Sequence, residues 1–164
     1  MKRLVLPALT ALLAAACGND RAEVAQHGPG ETCSADGIVV SDAWIRAARA
    51  GQPTSAAYFS LCNGGQTDDA LVSFTFSGAQ AAELHTTTLN DESLVSMTPT
   101  EDIPVGAGHM ATLEPEGQHV MLIGLEAPLV AGETTTATLT FRNAPDITID
   151  FDIRDGTSDH QGHH

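Results

Sequence analysis

The chain has 164 residues and carries 21 acidic side chains against 7 basic ones, so its formal net charge is −14 with neutral histidines. Such a charge repels nucleic acids and anionic lipid headgroups, which excludes a nucleic-acid-binding protein. The length supports a single domain of about 125 residues, enough for one hydrophobic core, once the two termini are set aside.

Residues 1–17 have a basic start, an apolar run and small residues before Cys17, which is typical of a secretory signal peptide. The apolar run is too short to span a membrane. Its end resembles a bacterial lipobox, although Ala14 stands where leucine is usual, and Cys17 would then be lipidated; the alternative is cleavage after a small-residue site. Either way we expect an exported protein, whose net charge after removal of Lys2 and Arg3 is 5 − 21 = −16.

Residues 18–36 are small, polar and glycine-rich, and they predict a flexible tether that includes His27. Short apolar stretches with abundant threonine and a period of two follow, separated by turn residues. This pattern predicts an antiparallel β-sandwich. The predicted strands are residues 37–45, 55–63, 70–76, 81–89, 93–98, 109–113, 118–124, 134–141 and 146–153.

Two segments are not assigned to strands. Residues 77–84 could form one turn of helix, although the stretch is brief. The tail, residues 154–164, is polar and rich in histidine, and it predicts a disordered segment. The folded domain is therefore expected over residues 37–153.

Two cysteines remain after Cys17. In an exported protein, Cys33 and Cys62 most simply form a disulfide, which would close a loop of about 30 residues and contribute about 3 kcal/mol. The alternative is that their thiolates bind a metal, which an oxidising compartment disfavours.

Histidine and methionine recur together along the chain. On a strand, His119 and Met121 project from the same face with Cα atoms roughly 6.7 Å apart, so both side chains can converge on one ion. His85 and Met97 each lie near the end of a predicted strand, which suits a site at the rim of a sandwich. Taken singly, each residue is more often core filler or a satisfied polar group.

Thioether sulfur is a soft, neutral ligand that contributes little to zinc, magnesium or calcium binding but stabilises Cu(I). Two thioethers and two imidazoles would therefore hold Cu(I) without a thiolate. A blue-copper electron-transfer site needs a nearby cysteine, and no cysteine follows Cys62.

The chain resembles the periplasmic copper chaperones with a PCu(A)C domain. Their motif has a histidine, a methionine twelve positions later and, after 21 further residues, His-x-Met; here these are His85, Met97, His119 and Met121. Thr86 stands where many relatives have an additional methionine. Segments such as "DAWIRAA" and "LEPEGQHVMLIGL" are also similar to the family, over roughly residues 37–153.

The resemblance implies a cupredoxin-like Greek-key β-sandwich whose four ligands bind Cu(I). It also implies a metallochaperone that carries copper through the periplasm, for which we expect delivery by ligand exchange. We further expect a monomer that is not an enzyme. The expected acceptor is the copper-A centre of cytochrome c oxidase subunit II or another copper chaperone. His109 and Met110 lie outside the motif; either they assist copper binding or they belong to a strand or loop surface.

The histidine-rich tail offers a candidate auxiliary site. Asp159, His160, His163 and His164 are borderline nitrogen and oxygen ligands that suit Cu(II) rather than Cu(I). The alternative is a solvated tail with no fixed role.

Three other functions remain open at this point. The protein could buffer or detoxify copper at the membrane with no dedicated acceptor. It could be a copper oxidoreductase, which would hold stable Cu(II) at the four-ligand site. It could also be an adhesion-type sandwich whose histidines and methionines are incidental. The sequence shows neither paired carboxylates nor a nucleophile-and-base pair, so it does not indicate a hydrolase.

Overall fold

A computed structural model describes Cys33, residues 36–89 and residues 95–156. The predicted signal peptide, with Cys17, and all of the tether except Cys33 and Asp36 lie outside the described residues. So do the four tail residues of the candidate Cu(II) site, Asp159, His160, His163 and His164.

The described residues form ten β-strands and no helix. The strands are β1 (Ile38–Arg46), β2 (Thr54–Asn63), β3 (Asp69–Thr75), β4 (Ala79–Leu89), β5 (Val95–Pro99), β6 (Ile103–Val105), β7 (Met110–Leu113), β8 (His119–Leu125), β9 (Thr134–Phe141) and β10 (Ile147–Arg154). Within the same residues there is accordingly no helix long and apolar enough to cross a membrane. The turn of helix considered for residues 77–84 is wrong, because β4 already begins at Ala79. The three-residue strand β6 was not predicted.

The strands hydrogen-bond in the order β5-β4-β8-β2-β1-β10-β9-β3-β6, and β7 pairs with β2. The sheet folds over itself, so that β3 contacts β4 across the interior. All pairs are antiparallel except β1 with β10, which run parallel and join the two layers. The expectation of a wholly antiparallel sandwich is corrected at this one pair. The prediction of antiparallel strand pairs otherwise holds.

The core is built from one face of each strand. On β8, Val120 and Leu122 are fully buried, and on β2, Phe59 is 1% exposed. The Phe59 ring stacks on Phe74 of β3 and meets Phe151 of β10 edge-on, with centroids 6.0 and 5.7 Å away. Since side chains alternate between faces, the residues flanking these positions on β2 and β8 lie on the outer face of the sheet.

One end of β2 is held by a covalent cross-link and a buried amide. Cys33 and Cys62 form a disulfide with Cα atoms 5.5 Å apart. The neighbouring Asn63 is 3% exposed, and its side-chain amide donates to the carbonyls of Thr67 and Val105 while its oxygen accepts from Gly65 N. The disulfide and this amide fasten Cys33, the β2–β3 loop and the end of β6 to β2.

The Asp69 carboxylate fastens the β9–β10 connection to β3. It accepts hydrogen bonds from the backbone N–H groups of Ala70, Asn143 and Ala144. Burial acts to raise the pKa of Asp69, but the hydrogen bonds from these backbone groups and Arg142 outweigh it and lower the pKa below its ordinary value of 3.8.

A lowered carboxyl pKa stabilises the fold above the unfolded-state value and ceases to do so as pH falls through the folded-state value. We therefore expect Asp69→Asn to destabilise the protein by about 1 kcal/mol at pH 7, because it removes the charge but keeps an acceptor oxygen. The difference should shrink below pH 4. Urea denaturation of both proteins between pH 7 and pH 2.5 measures it.

Asp146→Asn, at an exposed position of the same connection, is the matched control and should show no comparable difference. A gap between wild type and Asp69→Asn that stays constant down to pH 2.5 would contradict the role of the Asp69 charge.

Candidate metal centre

His85 and His119 are direct neighbours on adjacent strands. The two residues are register partners in the antiparallel pair of β4 and β8. Leu84 and Val120, one residue along each strand, belong to the core, so both imidazoles project from the opposite, outer face. The ring centroids are 5.7 Å apart. Two imidazoles that bind one ion through bonds of about 2 Å have centroids at most roughly 6.5 Å apart, so this separation is compatible with a shared ion.

Both imidazoles are buried although they lie on the outer face. His85 is 7% exposed and His119 is 5% exposed. Nδ1 of His119 lies 3.1 Å from the Gly117 carbonyl oxygen, and Nε2 of His85 lies 3.0 Å from a Glu83 carboxylate oxygen. Nδ1 of His85 is buried and has no hydrogen-bond partner among the described residues. A buried, unpaired nitrogen is costly unless it binds something, which favours a ligand here.

The two methionines lie on either side of the histidine pair. Met121 of β8 is opposite Glu83, two register positions from the pair, and is partly buried. Met97 of β5 is opposite Thr87 of β4, two positions from the pair in the other direction, and is 59% exposed. A diagonal neighbour on an adjacent strand is within reach of a long side chain, so the Met97 sulfur can approach His85.

His85 and Met97 lie inside their strands, whereas His119 is the first residue of β8. β4 continues from His85 to Leu89, and Met97 is the central residue of β5. The expectation that His85 and Met97 lie at strand ends is therefore wrong. The site is on the outer face of three neighbouring strands, close to the edge strand β5.

An aromatic row continues from the histidines across β2 and β1. The Tyr58 ring lies 6.4 Å from the His119 ring and 4.5 Å from the Trp44 ring, measured between centroids. Arg46 donates a hydrogen bond of 2.7 Å to the Tyr58 hydroxyl. Burial raises the pKa of Tyr58, and the charge and hydrogen bond of Arg46 offset only part of that rise, so the phenol stays neutral.

A β-bulge places Trp44 in this row. Between Ser41 and Trp44 the pairing of β1 with β2 shifts by one residue, and Asp42 has a positive φ of 51°. The extra residue turns Trp44 to the face of its partner Tyr58. Sequence reasoning missed Tyr58, Trp44 and Glu83 as neighbours of the site. Their proximity depends on strand pairing, which the local pattern does not specify.

His109 and Met110 lie away from the histidine pair. Met110 is opposite Cys62 at the disulfide end of β2, whereas Met121 is opposite Ala56 near the other end. Cys62 is six positions, roughly 20 Å, from Ala56 and four positions, roughly 13 Å, from Tyr58, which lies next to His119. The suggestion that His109 and Met110 assist the four-residue site therefore finds no support in the geometry.

The donor set limits what the site can hold. No three His, Cys, Asp or Glu side chains converge to form a metal site within residues 36–89 and 95–156 or at Cys33. Besides water, thioether sulfur from the neighbouring methionines could therefore complete the coordination of an ion held by the two imidazoles. Sulfur and imidazole together favour a soft cation such as Cu(I) over Mg²⁺ or Ca²⁺.

Solved structures share this fold. The "Copper-bound PCuAC domain from PmoF2" matches with a TM-score of 0.63 at 20% identity, over 77% of this chain and 99% of that one. The solution structure of Cu(I)-DR1885 from Deinococcus radiodurans matches with a TM-score of 0.52 at 29% identity, over 71% of this chain and 79% of that one. The fold is thus that of the PCuAC domains, and the predicted cupredoxin-like β-sandwich is confirmed.

The sequence also matches one protein family. A family model described as "Putative lipoprotein LpqE-like" matches residues 38–153. "Putative lipoprotein Lxx21020" of Leifsonia xyli subsp. xyli (strain CTCB07) is 33% identical over 121 residues, which are 74% of this chain and 72% of that protein. The chain belongs to the LpqE-like family.

Proposed function

We propose that this protein is an exported copper chaperone that binds Cu(I) through His85, Met97, His119 and Met121. The observation that carries the proposal is the pair of buried, facing imidazoles, one with an unpaired nitrogen, on the same sheet face as two methionines. Neutral imidazole and thioether ligands bind Cu(I) without releasing a proton, and they do not depend on a thiol that oxidation would remove.

The PCuAC structures support copper as the ion. Two of them are copper-bound forms, and one of these is the Cu(I) form. The protein in the Cu(I) form is 29% identical to this chain. The lipoprotein name of the Leifsonia relative supports export and a lipid anchor at Cys17, which would hold the protein at the outer side of a bacterial membrane, in the periplasm.

The unequal exposure of the four side chains suggests how the ion is released. The imidazoles are almost fully buried, whereas Met97 is 59% exposed on an edge strand. An acceptor ligand can displace the Met97 sulfur first, while the histidines still hold the ion. Copper then passes to the acceptor by stepwise ligand exchange, with no change of oxidation state and no release of free ion.

A titration of the full chain with Cu(I) against a chelator such as bicinchoninate tests the binding. We expect one tightly bound Cu(I) per chain and a change in the fluorescence of Trp44, the only tryptophan, which lies one aromatic ring away from His119. Loss of Cu(I) to bicinchoninate at every protein concentration would contradict the proposal. Stable Cu(II) at this site, with turnover in the presence of reductant and oxygen, would indicate an oxidoreductase instead.

The proposed acceptor is the copper-A centre of cytochrome c oxidase. Mixing the Cu(I)-loaded protein with the apo soluble domain of oxidase subunit II should move copper to that domain. In cells, deletion of the gene should lower oxidase activity, and added copper should restore it. Copper sensitivity with normal oxidase activity would favour buffering over delivery.

A further inference from the structure

The contact between Glu83 and His85 bears on which imidazole nitrogen faces the ion. The two residues are separated by one position on β4, so both project from the outer face. The Glu83 carboxylate lies 3.0 Å from Nε2 of His85, and Glu83 itself is opposite Met121. The carboxylate is therefore adjacent to two of the four proposed ligands, although it is not one of them.

The hydrogen-bond partners of the His85 ring define its tautomer. A neutral imidazole carries one N–H and one lone pair, and an ionised carboxylate can only accept. With the proton on Nε2, the ring donates to Glu83 and the lone pair is on Nδ1. With the proton on Nδ1, a buried N–H would lack an acceptor and the Nε2 lone pair would face a negative charge. The first tautomer is strongly preferred.

His119 has the opposite arrangement. Its Nδ1 is next to the Gly117 carbonyl oxygen, which can only accept, so the proton is on Nδ1 and the lone pair is on Nε2. The two histidines thus present different nitrogens. We propose that Glu83 is a positioning residue that holds His85 as its Nε2–H tautomer, so that His85 binds Cu(I) through Nδ1 while His119 binds it through Nε2. Only the part of this inference that concerns Cu(I) binding, its copper half, rests on the proposed function; the tautomer of His85 does not.

Glu83 also supplies a negative charge next to a cationic complex. Two neutral imidazoles and two neutral thioethers leave the full +1 charge of Cu(I) uncompensated by the ligands. A carboxylate in hydrogen-bond contact with one ligand makes that ligand more basic and partly balances the charge of the ion. Removal of such a partner typically weakens metal binding by about 10- to 100-fold.

The experiment compares wild type, Glu83→Ala and Glu83→Gln as full ¹⁵N-labelled chains. Long-range ¹H–¹⁵N correlation spectra of the metal-free proteins report which nitrogen of each histidine is protonated. We expect Nε2–H for His85 and Nδ1–H for His119 in wild type, with loss of the His85 preference in Glu83→Ala. Glu83→Gln keeps an acceptor oxygen and should restore the tautomer, though not the charge.

Cu(I) titrations of the same proteins test the copper half. Glu83→Ala should bind about 10- to 100-fold more weakly than wild type, and Glu83→Gln should lie between them. Glu126→Ala, at an exposed position just after β8, is the matched control and should bind like wild type. In the Cu(I) form, the largest ¹⁵N shift of His85 should be at Nδ1.

Two results would overturn the role of Glu83: a His85 protonated on Nδ1 in the metal-free wild type, or an unchanged tautomer and affinity in Glu83→Ala. Failure of the wild type to take up Cu(I) would instead overturn the proposed function and the copper half of this inference. The tautomer spectra still decide the Glu83 contact in that case, so the two failures are distinguishable.

Discussion

His119→Ala is expected to weaken Cu(I) binding by more than about 100-fold, the largest loss of any single substitution in the protein. Removing a ligand costs more than removing one of its hydrogen-bond partners, for which 10- to 100-fold is typical. His119 is 5% exposed and its ring is fixed by Gly117 and Tyr58, so little else can move into its place. Competition with bicinchoninate measures the loss.

Met97→Ala should cost less, about 10-fold, because an exposed side chain on an edge strand contributes a flexible ligand that water or an added thioether can replace. His109→Ala and Met110→Ala are the matched controls, since they remove the same side-chain types near the disulfide end of β2. Equal effects of His119→Ala and His109→Ala would rule out the proposed site. Circular dichroism should show that all four variants remain folded.

Phe59→Ala is expected to cause the largest loss of stability, about 3–5 kcal/mol. Phe59 is 1% exposed and contacts Phe74 and Phe151, which come from the other layer of the sandwich. Its removal leaves a cavity between the layers that three aromatic rings otherwise fill. Urea denaturation under oxidising conditions, with the Cys33–Cys62 disulfide intact, gives the free energy of unfolding.

Phe59→Leu is the matched control, because it keeps most of the buried apolar surface. We expect it to cost clearly less than Phe59→Ala, about 1–2 kcal/mol. A loss of less than 1 kcal/mol in Phe59→Ala would show that the two layers do not depend on this aromatic contact.

The sequence was sufficient to predict most of the strands and the two faces of β8. Alternation predicts that Val120 and Leu122 are buried while His119 and Met121 project from the other face, and the structure has this arrangement. Nine of the ten strands were expected from the same pattern. β6 was not, because three residues are too few to show a period of two.

The geometry around the site could not be predicted in the same way. The contact of His85 with His119 depends on the register between β4 and β8, which are far apart in the chain. The local pattern shows which residues share a face but not which strands are neighbours. For the same reason, nothing in the local sequence pattern marks Glu83 or Tyr58 as a neighbour of the site.

The position of the disulfide has a consequence for orientation. Strand β2 has Ala56, the neighbour of Met121, near one end and Cys62 near the other, roughly 20 Å apart. The disulfide therefore attaches Cys33 to the end of β2 that lies away from the histidine pair. If Cys17 is attached to a lipid, the 15 residues between Cys17 and Cys33 join the domain to the bilayer through this end of β2 and not through the metal-binding face. An acceptor domain could then approach Met97 without displacing the attachment.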